Sequence, residues 1–212
     1  MKKIILLAFC ISISTVIFAQ GTEWGVKTGL NLAGRATYIH YLSDKKVRPG
    51  IYAGLFVEHK FNKFFGIQSE LLYSMMGGRG IYQEPIEWDP TAGLFPQYNP
   101  NPEITITNKA DYIVLPILAK LYVTKNLSLD FGPQFGYMIS AKLKSQVELF
   151  NGSYYDSIYN NNVDVLFGIG LSYKLNSKFN ISGRCNFGLV DVVDNSRVKN
   201  NVIQVGVGYK LR

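Results

Sequence analysis

Side chains able to do chemistry are sparse in this sequence, and their spacing limits what they can do. The two histidines, His40 and His59, lie respectively in a long polar connection and near the end of an alternating run. Neither has a serine or carboxylate at the spacing of a nucleophile, base and orienting acid. Tyr38-Ile39-His40-Tyr41 near Asp44 is the one local cluster that joins a base to a carboxylate, and a solvated loop histidine accounts for it more simply. No His/Cys grouping has metal-ligand spacing, and there is no glycine-rich phosphate loop. No catalytic, cofactor-binding or metal-binding residue is therefore assigned, and the protein is expected not to be an enzyme. Cys185 falls on an apolar face, where a small, weakly polar side chain needs no function.

What remains are charges at alternate positions. Lys27, Glu58, Glu70, Lys120, Asp130 and Arg184, joined by Lys174 and Lys210 and by the amides of Gln68, Gln134, Asn186 and Gln204, each sit on the polar side of a run whose other side is apolar. If those polar sides enclose a narrow space, opposite charges must pair there, because a lone buried charge is costly. Glu70 with Lys120 is the expected pair, each lying near mid-strand on neighbouring strands. The alternative to an ion-paired plug is a passage lined by charge.

The elements that must position these residues are strands. Asp111–Ser140 holds two period-2 runs separated by Thr124, Lys125 and Asn126, too short a connection for anything but an antiparallel hairpin. In the second run Leu127, Leu129, Phe131, Phe135, Tyr137 and Ile139 oppose Ser128, Asp130, Gly132, Gln134, Gly136 and Ser140. Six further runs of similar length follow the same rule: Glu23–Ala33, Gly50–Lys60, Phe64–Met76, Val163–Leu175, Lys178–Leu189 and Val202–Leu211. That makes eight strands of the length with which a tilted strand crosses a bilayer. Pro116 and Pro133 lack the N–H of a ladder donor, so a bulge or a missing ladder bond is expected at each.

Connector lengths alternate. Phe61–Lys63, Thr124–Asn126 and Asn176–Ser177 are tight, whereas Gly34–Pro49, Gly77–Ala110, Ala141–Asn162 and Val190–Asn201 are long. Short turns at one end and long loops at the other predict an all-β fold: an eight-stranded antiparallel up-and-down transmembrane β-barrel with short periplasmic turns and long extracellular loops. Two aromatic girdles are expected, Trp24, Phe61, Phe64, Phe65, Tyr122, Tyr173, Phe179 and Tyr209 at the short-turn rim and Tyr73, Tyr112, Tyr137 and Phe187 at the other. Asn151-Gly152 predicts a tight hairpin turn beyond the membrane. The proline-rich Gly77–Ala110 connection is irregular in its middle, with Ile104–Thr107 able to lengthen the fourth strand outward.

Composition supports these assignments. Aromatic residues make up 14% of the chain and hydrophobic residues 47%, too many for a disordered chain. Lys2 and Lys3, the apolar stretch Ile4–Phe18 and Ala19 predict a signal peptide over 1–19, cleaved near Ala19/Gln20, with the barrel domain occupying 20–212. Cleavage would remove Cys10, leave Cys185 without an internal partner, and lower the formal net charge from +7 to +5. No Lys/Arg cluster accompanies a stacking aromatic platform, so nucleic acid is not an expected partner.

The segments WGVKTGLNLA, RPGIYAGLFVEHKF, FGIQSELLYSMMGG, DYIVLPILAKLYV, LDFGPQFGYMIS, VDVLFGIGLSYKL and the terminal VGVGYKL together resemble the PorT-like outer-membrane β-barrel family across residues 20–212. The resemblance implies an eight-stranded barrel in the outer membrane of a Gram-negative cell, and the family takes its name from a component associated with protein secretion. Such barrels commonly end on an aromatic residue, whereas this chain ends Tyr209-Lys210-Leu211-Arg212, and Tyr209 is expected to stand in. The expected function is a non-enzymatic envelope role through loops or rim, with outer-membrane lipid and an envelope or secretion-system protein as partners. Passage of small solutes and a secretion-accessory role are alternatives. Periodicity alone leaves open a soluble, lipocalin-like carrier of apolar ligands, in which the apolar face would turn inward.

Overall fold

In the computed structural model, which describes residues 21–36, 42–82, 104–145, 162–191 and 199–212, the alternating runs become strands. In chain order these are β1 (Thr22–Ala36), β2 (Leu42–Lys46), β3 (Arg48–Lys60), β4 (Phe65–Tyr82), β5 (Ile104–Tyr122), β6 (Leu127–Ser145), β7 (Val163–Lys174), β8 (Phe179–Gly188) and β9 (Lys199–Lys210). β2 and β3 flank Val47 and both pair with β4, so the two form one stave. The sheet runs β4-β3-β1-β9-β8-β7-β6-β5 and returns to β4, every pairing antiparallel. The result is a closed eight-stranded barrel. Closure satisfies the backbone hydrogen bonds without leaving an edge in lipid.

The alternation of side chains decides which solvent each face meets. Leu30 is 63% exposed and Val205 60%, whereas Lys27 is 5% and Glu70 1% exposed. Aliphatic and aromatic residues cover the outside of every stave, among them Leu55, Leu71, Ile113, Phe135, Phe167, Leu171, Ile181 and Val207. An apolar band around a whole molecule belongs in lipid rather than water. A polar outer surface, as the soluble carrier requires, is the reverse of what the strands present.

The turns at the short end share one construction. Asn62 Oδ1 accepts from the amides of Phe64 and Phe65, both at 2.8 Å. Asn176 Oδ1 accepts in the same way from Lys178 and Phe179. Thr124 Oγ1 accepts from Asn126 at 3.2 Å and Leu127 at 3.0 Å. Each short polar side chain thus replaces the backbone acceptors that the reversing chain has lost.

Both prolines coincide with gaps in a ladder. β4 and β5 lack pairs between Ser69↔Ile117 and Leu72↔Val114, the stretch that contains Pro116. β5 and β6 lack them between Pro116↔Gln134 and Ala119↔Phe131, the stretch that contains Pro133 and Gly132. Gly132 has φ +158° and lies against the backbone of Ile117, where a Cβ would collide. A shift between Asp111↔Ser140 and Tyr112↔Met138 leaves Ile139 as an extra residue in β6.

Two expected girdle members lie elsewhere. Tyr122 and Tyr112 occupy inward positions of β5: Tyr122 bonds Glu58 inside the barrel, and Tyr112 is buried in an apolar cluster. Period 2 on β5 forces this, because Lys120 and Val114 share their face. Trp24, Phe61, Phe64, Phe65, Tyr173 and Phe179 face outward at the short-turn rim, and Tyr137 and Phe187 do so nearer the other end. The Asn151-Gly152 turn, His40 with its neighbours Tyr38, Ile39 and Tyr41, the proline-rich residues 83–103 and the leader over 1–19 lie outside the described residues.

Candidate functional site

The inward positions divide the lumen into three layers. Nearest the short turns is a mouth in which the Glu23 carboxylate meets three lysines: Lys210 at 2.9 Å, Lys60 at 3.0 Å and Lys174 at 3.5 Å. Glu23 on β1 stands directly opposite Glu58 on β3, a juxtaposition that repels unless cations intervene. They do. Lys60 and Lys174 lie 3.8 and 3.7 Å from Glu58 Oε1, and Lys120 lies 3.0 Å from Oε2. Tyr122 completes the arrangement by donating to Glu58 Oε1 at 2.7 Å, with the ammonium groups of Lys60 and Lys174 5.6 and 5.9 Å from its ring centre.

Deeper in, six charged side chains sit out of reach of solvent. Glu70 accepts a two-pronged contact from Arg184, 2.8 Å to Oε1 and 3.1 Å to Oε2, and a third bond from Lys27 at 2.9 Å. Lys120 links Glu58 to Asp130, 3.6 Å away, and donates to Gln68 Oε1 at 2.8 Å. Gln68 in turn donates to Glu70 at 2.5 Å, which joins the two groups into one network. Asp130 also accepts from Ser128 at 2.7 Å and from Ser172. Lys27, Lys120 and Arg184 carry the positive charge, and Glu58, Glu70 and Asp130 the negative, so this layer is neutral. Only such matching makes buried ions tolerable.

Amides and then apolar side chains fill the remaining length. Gln134 donates to Asn186, Asn186 to Gln204 at 2.9 Å, Gln204 to Asn31 at 3.0 Å, and Asn31 to Ser74 at 2.8 Å. Above this belt Ala33, Met76, Ala110, Tyr112, Val114, Met138 and Val202 pack together at the long-loop end. Tyr52, Phe56, Leu72, Leu118 and Leu166 are buried lower down. Gly206 on β9 makes room for Tyr52: the tyrosine ring lies where a Cβ would stand.

The structure brings all of Lys27, Glu58, Glu70, Lys120, Asp130 and Arg184 into the lumen, but it corrects the expected pair. Glu70 does not bind Lys120. The β4–β5 register sets Lys120 opposite Gly66, four residues along β4 from Glu70, while the β5–β6 register sets it opposite Asp130. Arg184 reaches Glu70 from β8, across the barrel. Sequence reasoning also left Glu23 outside the network and named no apolar layer within the lumen. The hairpin register around Thr124–Asn126 already places Lys120 against Asp130, but contacts across the lumen have no local signal. The apolar layer is hidden because the inward positions of β5 are as oily as the outward ones.

Among the described residues no three His, Cys, Asp or Glu side chains converge as metal ligands would. The ions and amides named above bind one another, and the lumen is filled by side chains, as expected for a barrel of this strand number.

Solved structures with a comparable outline include Ail, the attachment invasion locus protein of Yersinia pestis, in complex with the heparin analogue sucrose octasulfate. It is 16% identical, with a TM-score of 0.47 over 91% of this chain and 100% of that one. Neisserial surface protein A is 9% identical, with a TM-score of 0.44 over 91% and 100% of the two chains. OprG from Pseudomonas aeruginosa is 12% identical, with a TM-score of 0.38 over 90% and 94%. No curated protein matches this chain. Residues 18–194 match the family model described as the outer membrane protein beta-barrel domain. With most of its length matched and its apolar band turned to lipid, this chain belongs to the outer membrane protein β-barrel domain family.

Proposed function

We propose that this protein is a non-enzymatic outer-membrane barrel that engages an envelope or extracellular protein through a sheet projecting at its long-loop end. One observation carries the reading. β5 and β6 each have 19 residues and β4 has 18, whereas β7, β8 and β9 have 12, 10 and 12. A tilted strand crosses the hydrocarbon with about 9–11 residues, so the long strands continue beyond it by on the order of 20 Å. Their extensions remain paired, Gly77–Tyr82 with Ile104–Lys109 and Ile106–Ala110 with Ala141–Ser145, and β2 adds a fourth strand alongside β4. A four-stranded sheet on one side of the rim is more structure than membrane anchorage requires. Paired strands fix the backbone on which a docking surface is built.

Within the family, the glycine-aromatic segments from WGVKTGLNLA to VGVGYKL favour the PorT-like group, and secretory delivery with cleavage near Ala19/Gln20 forms part of this proposal. The test is copurification in mild detergent of the full chain and of a variant in which residues 79–107 are replaced by Asn-Gly. Heat-modifiable gel migration should persist in both, and a partner should be recovered only with the full chain. Recovery of the barrel alone from both, or retention of the partner by the shortened variant, overturns the reading.

A further inference from the structure

The short-turn end carries more positive charge than its carboxylates use. Lys60, Lys63, Lys120, Lys125, Lys174, Lys178 and Lys210 lie there with Glu23, Glu58 and Asp130, seven side-chain cations against three side-chain carboxylates. Two of those carboxylates are occupied further in: Glu58 and Asp130 share Lys120, and Asp130 also accepts from Ser128 and Ser172. At the mouth itself Lys60, Lys174 and Lys210 share the carboxylate of Glu23, and Lys60 and Lys174 also lie 3.8 and 3.7 Å from Glu58.

Beside them a cavity of about 220 Å³ opens between the mouth and the β7–β8 turn. Lys174, Lys178, Lys210, Asn176, Ser177 and Asn180 are among the residues that line it, with Glu23 and Glu58 on its inner side. Asn176, which lines the space, spends its amide oxygen on the backbone of Lys178 and Phe179, which leaves its NH₂ group to donate. Lys174 and Lys210 are inward positions of β7 and β9, so a ligand reaches them from the aqueous mouth rather than sideways from the bilayer.

We propose that this cup binds a phosphate group presented from the periplasmic side. Lys60, Lys120, Lys174, Lys178 and Lys210, set against Glu23, Glu58 and Asp130, leave two positive charges at this end, which matches the roughly −1.5 to −2 of a phosphate near neutral pH better than the single charge of a carboxylate. Lysines serve such groups as movable point charges, with hydroxyl and amide donors completing the shell. Glu23 is the built-in competitor: it holds the lysines together when the cup is empty and yields part of its contact when phosphate enters. The inference is independent of the docking role proposed for the opposite end.

The experiment titrates inorganic phosphate into the full-length barrel, refolded in neutral dodecylmaltoside at constant ionic strength, and follows the lysine Nζ and backbone amide resonances. Saturable shifts confined to Lys174, Lys178, Lys210 and the Asn176–Asn180 turn are expected. Lys178→Gln, on the solvent-facing turn, should weaken binding about two- to fivefold, and Glu23→Gln should tighten it by a similar factor. Lys63→Gln and Lys125→Gln, on the other two turns, should leave it unchanged. A parallel arm compares nanodiscs containing phosphatidic acid, whose headgroup is a phosphomonoester, with nanodiscs of phosphatidylcholine. Shifts at the same residues with phosphatidic acid but not with inorganic phosphate would assign the phosphate group to a lipid headgroup. Absence of saturable shifts in both arms, or equal weakening by Lys63→Gln and Lys178→Gln, would overturn the proposal.

Discussion

Glu70 shows at the scale of one residue how this barrel tolerates charge in its interior. The carboxylate is 1% exposed and answers two cations, Lys27 and Arg184, neither on a neighbouring stave. Removing it leaves both cations in a space with no water to replace it. Glu70→Gln is expected to destabilise the barrel by about 3–5 kcal/mol, the usual consequence of breaking a buried ion pair on one side. Reversible urea unfolding in detergent, read by tryptophan fluorescence and by gel mobility, measures it. The triple variant Glu70→Leu, Lys27→Met, Arg184→Met should recover most of the loss, since the penalty comes from unpaired charge rather than from lost attraction. A triple variant no more stable than Glu70→Gln would show that the network stabilises the barrel in its own right. Cys185 makes the complementary case on the outer face. It pairs with Ile169 and Ile203 in the lipid-facing band, and Cys185→Arg is expected to cost about 2–4 kcal/mol near the midplane, measured in the same unfolding experiment.

At the scale of the element, the three short turns are the most repetitive feature of the fold. Each depends on one small polar side chain that accepts two backbone amides. Asn62→Ala and Asn176→Ala should each lower stability by about 1 kcal/mol, the net worth of hydrogen bonds with water as the alternative partner. The two changes should add, because the turns are separate. A combined loss far above the sum, seen in paired urea curves, would mean that the turns fold as one unit. Strand length is the other element-scale feature: β4, β5 and β6 outrun the rest of the barrel. The sequence showed the inner ends of these strands sharply, because tight turns bound them. Their outer ends continue into the proline-rich Gly77–Ala110 connection, where alternation fades. Of that connection, Ile104–Thr107 was legible as an extension of β5, whereas β2 was not, since LSDKK has a composition as suited to a loop.

For the molecule as a whole, the interior is closed at every level, by ion pairs, by linked amides and by the apolar cluster around Met76 and Tyr112. The protein is expected to give no stable conductance steps in planar lipid bilayers, and reproducible steps from the purified barrel would contradict a filled lumen. The orientation of the faces is tested separately. A fluorophore on Cys185, in a Cys10→Ser background, should be quenched by nitroxide lipids and shielded from aqueous iodide; the reverse pattern would place the apolar face away from lipid. The sequence by itself determined the eight staves, the alternation of short and long connections and the division of most strand residues between two faces, because a period of two and a tight turn are local properties; Tyr112 and Tyr122 fell on the face opposite to the one expected. Only the tertiary structure decided which face looked inward, that Lys120 answers Glu58 and Asp130 while Glu70 answers Lys27 and Arg184, and that an oily layer seals the lumen at its outer end. Those outcomes depend on closing the sheet, which sets strands far apart in the chain across a lumen narrow enough for their side chains to touch.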